Sequence, residues 1–147
     1  MKTRFTNVDA VRTFLAQSQD YGTNAGGSFY FRDSVAYSYG DHYPLARFLS
    51  CGTLLISERD SSPTTNKLNT LLRREARCEI IEVQDVLADT RDDRGANMDR
   101  LNALAEQSKA KASRSRKYAE LHLNDASRYY NMLTRYMELT VPDAIAA

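Results

Sequence analysis

From Asn97 to about Leu139 the chain contains neither glycine nor proline, and alanine, leucine, glutamate, lysine and arginine recur throughout. Those residues lose little side-chain freedom in a helix, so this segment is expected to be helical. About 43 residues at about 1.5 Å each would span about 65 Å if straight, longer than the rest of the chain can build. The segment therefore either projects as one long helix or bends into a helical pair. In its second half Ala119, Leu123, Ala126, Tyr130, Leu133 and Met137 alternate steps of four and three. That a/d seam lasts under three heptads and suits packing on a sheet or against a second copy of the chain. In the first half only Met98, Leu101, Leu104 and Ala105 continue it.

The remainder reads as an α+β core over residues 1–84. A charged linker is expected over 85–96, the helical segment over 97–139, and a tail over 140–147. Residues 7–19 read as a helix opened by Thr6 and Asp9 at capping-box spacing, with Val8, Val11, Leu15 and Ser18 on one face and Phe14 beside it. The glycines of DYGTNAGG stop it. Phe29 to Phe31, Val35 to Tyr39, Thr53 to Ser57 and Glu79 to Val83 read as strands, rich in aromatic and β-branched residues. Ser61, Ser62 and Pro63 form a turn, and Thr64, Thr65 or Asn66 caps a second helix running to about Arg77. Leu68, Leu71 and Leu72 of that helix would face the core. The expected architecture is a small antiparallel sheet of about four strands packed by two helices, followed by the long helix or helical pair.

A chain of 147 residues fits one domain, and 42% hydrophobic with 27% charged residues allow it a core. The formal net charge of +1 favours neither nucleic acid nor an acidic partner for the chain as a whole. Any such attraction must come from local clustering. No stretch resembles a signal peptide or a membrane span, which points to a cytoplasmic protein with reduced thiols. Cys51 and Cys78 each sit in an apolar run and are expected to be buried.

Local clustering is present. In KAKASRSRK, Lys109, Lys111, Arg114, Arg116 and Lys117 make five of nine residues basic, and Ser113 and Ser115 add hydroxyls. Read as a helix, this segment could neutralise phosphates, or it could be a solvated face; its charges form no single stripe. Lys67, Arg73, Arg74 and Arg77 make a second basic group on the middle helix. The stretch SYGDHYPLARFL carries Tyr39, Asp41, His42 and Tyr43 in a corner that Gly40 and Pro44 shape, with Pro44 free to start a short helix through Leu49. Its polar-aromatic content would suit a binding surface, and His42 could act as a general base. His42 and His122 are the only histidines, and no spacing matches a metal site, so neither metal nor cofactor is expected.

FRDSVAYSYGDHYPLARFL followed by LLISERDSSPTTNKL resembles a small family of uncharacterised proteins from bacteriophages and archaea. The residues that carry the likeness are Tyr37, Ser38, Tyr39, Gly40, His42, Tyr43, Pro44, Leu45, Ala46, Ser62, Thr64 and Thr65. Where such relatives place a second histidine after the paired threonines, this chain has Asn66, Lys67 and Leu68. The resemblance covers roughly residues 29–76 and implies a viral or mobile-element setting. It makes Tyr39, Asp41, His42, Tyr43, Ser62, Thr64 and Thr65 a candidate binding loop.

The expected function is non-catalytic binding to a host protein or nucleoprotein complex, as an inhibitor or anti-defence protein. The alternative is DNA or RNA binding through Arg73, Arg74, Arg77, Lys109, Lys111, Arg114, Arg116 and Lys117. A third reading is a small metal-independent nuclease using His42, Tyr39 or Tyr43, and a nearby arginine. A homodimer through the 119–137 seam is a further expected contact, and no membrane is involved.

Overall fold

The computed structural model describes residues 1–38, 43–58 and 63–140. They form two units, Met1–Leu87 and Ala88–Ala147.

The first unit is built on a sheet of seven strands: β1 (Arg4–Phe5), β2 (Tyr21–Asn24), β3 (Phe29–Arg32), β4 (Val35–Ser38), β5 (Tyr43–Phe48), β6 (Leu54–Ser57) and β7 (Ile80–Val83). They lie in sequence order across the sheet. The helix α1 (Asn7–Ala16) joins β1 to β2, and α2 (Pro63–Glu75) joins β6 to β7. Both of those strand pairs are parallel, and β2 to β6 are antiparallel throughout. A helix between neighbouring strands carries the chain back to its starting end, so each helix imposes a parallel pair.

The α+β class is as expected, but the small antiparallel sheet of about four strands is corrected to a mixed sheet of seven. Three strands had no clear signal. β1 has only two residues. β2 runs through Gly22, which reads as a breaker; a Cβ there would lie 2.6 Å from the Phe31 ring, so the glycine allows close packing across the sheet. The stretch from Pro44 to Leu49 was expected to be helical, and is strand β5 instead. Pro44 pairs with Tyr37 where the β4–β5 register shifts, a place where a missing N–H costs no ladder bond.

Alternation sorts the side chains by face. Phe29, Phe31, Ala36, Ala46, Leu54 and Ile56 turn toward the helices and join Ala10, Val11 and Phe14 of α1 and Leu68, Leu71 and Leu72 of α2 in one buried cluster. Phe14 meets Phe29, Phe31 and Phe48 with ring centroids 6.5, 5.6 and 5.2 Å away. Thr6 caps α1 by accepting a hydrogen bond from the Asp9 N–H at 3.2 Å, and the helix stops at Gln17, whose φ is 51°. Both cysteines are exposed and neither is in a disulfide, contrary to the expected burial. Cys51 lies in the turn between β5 and β6, and Cys78 in the connection between α2 and β7; the apolar residues around them belong to the strands.

The second unit is a pair of helices, α3 (Arg91–Arg114) and α4 (Ala119–Thr140). α3 begins inside the stretch read as a linker, capped by Thr90, which accepts from the Asp93 N–H at 3.1 Å. Residues 115–118 separate the helices, so the long stretch without glycine or proline is a helical pair. On α3 the buried stripe is Asn97, Leu101, Ala105, Ser108 and Ala112, small enough for close approach. On α4 it is Ala126, Met132 and Tyr136. The side-chain amide of Asn97 donates to the Tyr136 hydroxyl at 2.9 Å in the interior. Arg94 donates to the Thr140 carbonyl at 2.7 Å, satisfying an end of α4. The expected seam lies to one side of this stripe: Ala126 is buried, whereas Leu123 and Met137 are exposed.

Candidate functional site

The two halves of the aromatic-threonine motif meet in the first unit. Ser38 ends β4, and Thr65 lies in the first turn of α2. Their hydroxyls are 2.9 Å apart and both residues are buried. Thr65 begins a polar stripe that recurs every four residues on the sheet-facing side of α2. Asn69 follows, donating from its amide to the Ser57 carbonyl at 2.9 Å. Arg73 comes next, donating to the Asn69 side-chain oxygen at 3.0 Å and to Glu82 of β7. The stripe thus ties α2 to β4, β6 and β7. Every link is a hydrogen bond with a partner, which is how buried polar groups become tolerable.

This arrangement gives several expected site residues a structural task. Thr65 and Arg73 hold the helix on the sheet, and Tyr43 packs half-buried against the core cluster. Thr64 is half-buried in the first turn of α2. Tyr39, Asp41, His42 and Ser62 lie outside the described residues, and with them the general-base reading of His42. Beside Tyr43 is a cleft of about 190 Å³ lined by Tyr43, Pro44, Ser57, Gln84, Asp85 and Val86. It is smaller than the roughly 300 Å³ at which small-molecule pockets begin. Among the described residues no group of three or more histidine, cysteine, aspartate or glutamate side chains could hold a metal ion.

The helix expected to run to about Arg77 ends at Glu75, so Arg77 lies beyond α2, and it and Arg74 differ in surroundings. Arg74 is exposed and reaches Glu75 at 3.5 Å, and Glu75 also receives the Arg12 guanidinium of α1 at 3.2 Å. The Arg12 hydrogen bond is the main cause that holds the Glu75 carboxyl below its ordinary value, and the same bond raises Arg12. Arg77 lines an open groove with Arg12, Leu15, Ala16 and Glu75. The group expected to bind phosphate as a set is therefore divided among a helix anchor, an inter-helix ion pair and a groove edge.

In the second unit the basic segment does not form one helix. Lys109, Lys111 and Arg114 occupy the last turns of α3, while Arg116 and Lys117 stand in the connection to α4. All five are exposed. The Lys117 ammonium lies 5.3 Å from the centre of the Tyr118 ring, and Tyr118 is itself exposed. Lys109, Lys111 and Arg114 thus keep their spread around the α3 axis, while Arg116 and Lys117 leave it with the chain. Farther along, the Tyr130 hydroxyl donates to Glu106, and that bond raises the phenol above its ordinary value.

Sequence reasoning missed one further surface. The sheet face turned away from α1 and α2 carries Tyr21, Tyr30, Tyr37, Arg32 and Arg47, as the strand pairing requires. The signal was there in FYFR, Phe29 to Arg32, where phenylalanines alternate with a tyrosine and an arginine.

Among the described residues no helix is long and apolar enough to cross a membrane. No protein-family model matches the chain, and no curated protein and no solved structure matches it.

Proposed function

We propose that this chain is a non-catalytic nucleic-acid-binding protein, and that the phosphate backbone meets the turn between α3 and α4. The observation that supports this reading is the gathering of Lys109, Lys111, Arg114, Arg116 and Lys117, all exposed, around one helix–helix junction. Lys111 and Arg114 also suit the negative end of the α3 dipole. Arg116 and Lys117 lie beyond the helix, where that role does not account for them.

Phosphate contacts release condensed counterions, so affinity should fall with salt, with a slope of about 0.7–0.9 per phosphate neutralised. Mobility shift or anisotropy with duplex and single-stranded DNA and RNA across a salt series tests this. Replacing all five cations by glutamine should abolish the salt-sensitive binding of duplex DNA. Absence of binding at low salt would overturn the reading.

A second reading is the occupation of a protein surface in a host complex, as an inhibitor would. Leu121 and Leu123, 56% and 50% exposed near the start of α4, favour it because large apolar side chains beside a charged tip suit a protein interface. Capture of a host complex by the wild-type chain, lost on replacing both leucines by glutamate, would support it over direct nucleic-acid contact.

A further inference from the structure

The sheet of the first unit buries one face under α1 and α2, with Phe29 and Phe31 wholly buried there. On its other face Leu55, Ile81 and Val83 of β6 and β7 are buried too, so the exposed side chains of that face belong to β1 to β4. The residues between and after Phe29 and Phe31, namely Tyr30 and Arg32, lie on that outer face. Strand pairing extends this outer face in two rows. One row runs from Arg4 through Thr23 and Tyr30 to Tyr37; the next runs from Tyr21 through Arg32 and Val35 to Arg47, which donates to the Val86 carbonyl at 3.5 Å, and then to buried Leu55 and Ile81. Solvent-side positions of an antiparallel sheet are ordinarily polar. Over β1 to β4 they include Tyr21, Tyr30, Tyr37, Arg4 and Arg32.

The geometry is that of a platform. The Tyr30 and Tyr37 rings are stacked, with centroids 5.0 Å apart and planes 17° from parallel. Tyr21 is 41% exposed at the next strand, and Arg4 and Arg32 are exposed at the margins of the pair. β1 to β5 contain no aspartate or glutamate at all. The carboxylates nearest in sequence, Asp20 and Asp33, stand in the turns before β2 and after β3. Strands that present aromatic and cationic side chains match a ligand that alternates flat rings with anionic groups.

We propose that the β1–β4 part of this face binds single-stranded nucleic acid, with unpaired bases stacked on Tyr30, Tyr37 and Tyr21 and the backbone drawn by Arg4 and Arg32. Paired bases in a duplex are already stacked and present no free ring face, whereas a single strand can splay its bases onto the sheet. The width from β1 to β4, about 14 Å at about 4.8 Å per strand, accommodates two or three bases. The inference names the strand form for the ligand class proposed for the α3–α4 turn, and it rests on different residues.

The test uses the full chain with oligo(dT), oligo(U), an abasic deoxyribose-phosphate oligomer and a duplex, each about 10 nucleotides long. The chain has nine tyrosines and no tryptophan, so its intrinsic fluorescence reports directly on base stacking. Both single strands should quench that fluorescence, and the abasic oligomer and the duplex should bind about 10-fold more weakly or worse. Y30L together with Y37L, which keeps apolar bulk on the sheet, should remove the quenching and about 10-fold or more of the single-strand affinity, with the circular dichroism spectrum retained. R4Q with R32Q removes no aromatic group and should lower the salt slope by about one per lost phosphate contact. Oligo(U) binding more tightly than oligo(dT) would identify RNA as the source of the single strand, and the reverse order DNA. Equal binding of abasic and base-bearing oligomers would overturn the proposal while leaving the α3–α4 reading intact. So would unchanged affinity in both variants. Loss of all binding on replacing the five turn cations, with no residual quenching, would overturn the sheet site alone.

Discussion

Two basic clusters of similar composition end two helices of this protein, and the structure uses them in opposite ways. At the end of α2, Arg73 is drawn to Glu82 on β7 and to Asn69 one turn back, while Glu75 collects Arg12 and Arg74. At the end of α3, five cations surround a turn, and the nearest carboxylate in sequence on either side is Glu106 or Glu120. The difference lies in what stands opposite. A cation facing an acid on a neighbouring element becomes part of the fold; cations gathered where no acid intervenes keep their field for a partner.

Breaking the second cluster should give the largest effect. Neutralising Lys109, Lys111, Arg114, Arg116 and Lys117 together is expected to lower duplex affinity by about 10³-fold or more at moderate salt, with the thermal midpoint nearly unchanged. Titration and melting of the same sample check both halves. Arg73→Ala sharpens the contrast from the other side. It should cost about 1 kcal/mol of stability by removing one hydrogen-bond partner each from Glu82 and Asn69, read as a shifted urea midpoint, with affinity for nucleic acid unchanged.

A smaller effect is expected in the helical pair. Tyr136→Phe removes the hydroxyl that accepts from Asn97 inside the α3–α4 interface and should cost about 1 kcal/mol. Its phosphate affinity should stay that of wild type, because the substitution leaves the turn untouched. The smallest effect belongs to Glu75. Its carboxyl is held low in the folded chain by Arg12, so its contribution is present above the ordinary glutamate range, about pH 4.3, and is lost as pH falls through the lowered folded value. Wild type should therefore melt slightly above E75Q near neutral pH, and the two should converge at acid pH. A gap that widened on acidification would refute the assignment.

The elements with strong local signals were legible. Thr6 caps the first helix, Leu68, Leu71 and Leu72 mark the buried side of the second, and β3, β4, β6 and β7 follow their aromatic and β-branched residues. What was not legible depended on neighbours distant in sequence. Gly22 breaks a pattern locally, yet is the residue that fits against Phe31. Pro44 opens a plausible short helix, yet a register shift opposite it makes room for a strand. The α4 seam through Leu123 and Met137 has good spacing, but the small residues of α3 meet a stripe through Ala126, Met132 and Tyr136 instead.

The candidate sites divide in the same manner. The charges of Lys109 to Lys117 are plain in the sequence; their gathering around a turn is not, because a run without glycine or proline gives no sign of where a helix will fold back. The Tyr30 and Tyr37 platform needed strand pairing to bring two tyrosines from different strands to 5.0 Å.

By itself the sequence determined the α+β class, the helical character after residue 96 and the presence of a local basic cluster. These follow from propensity and periodicity, which act within a few residues of chain. Tertiary structure alone decided which cations are neutralised, which face of the sheet is left aromatic and where the long helical stretch turns. Those outcomes depend on contacts across many residues, where burial and pairing outweigh the few tenths of a kcal/mol that local preference supplies per residue.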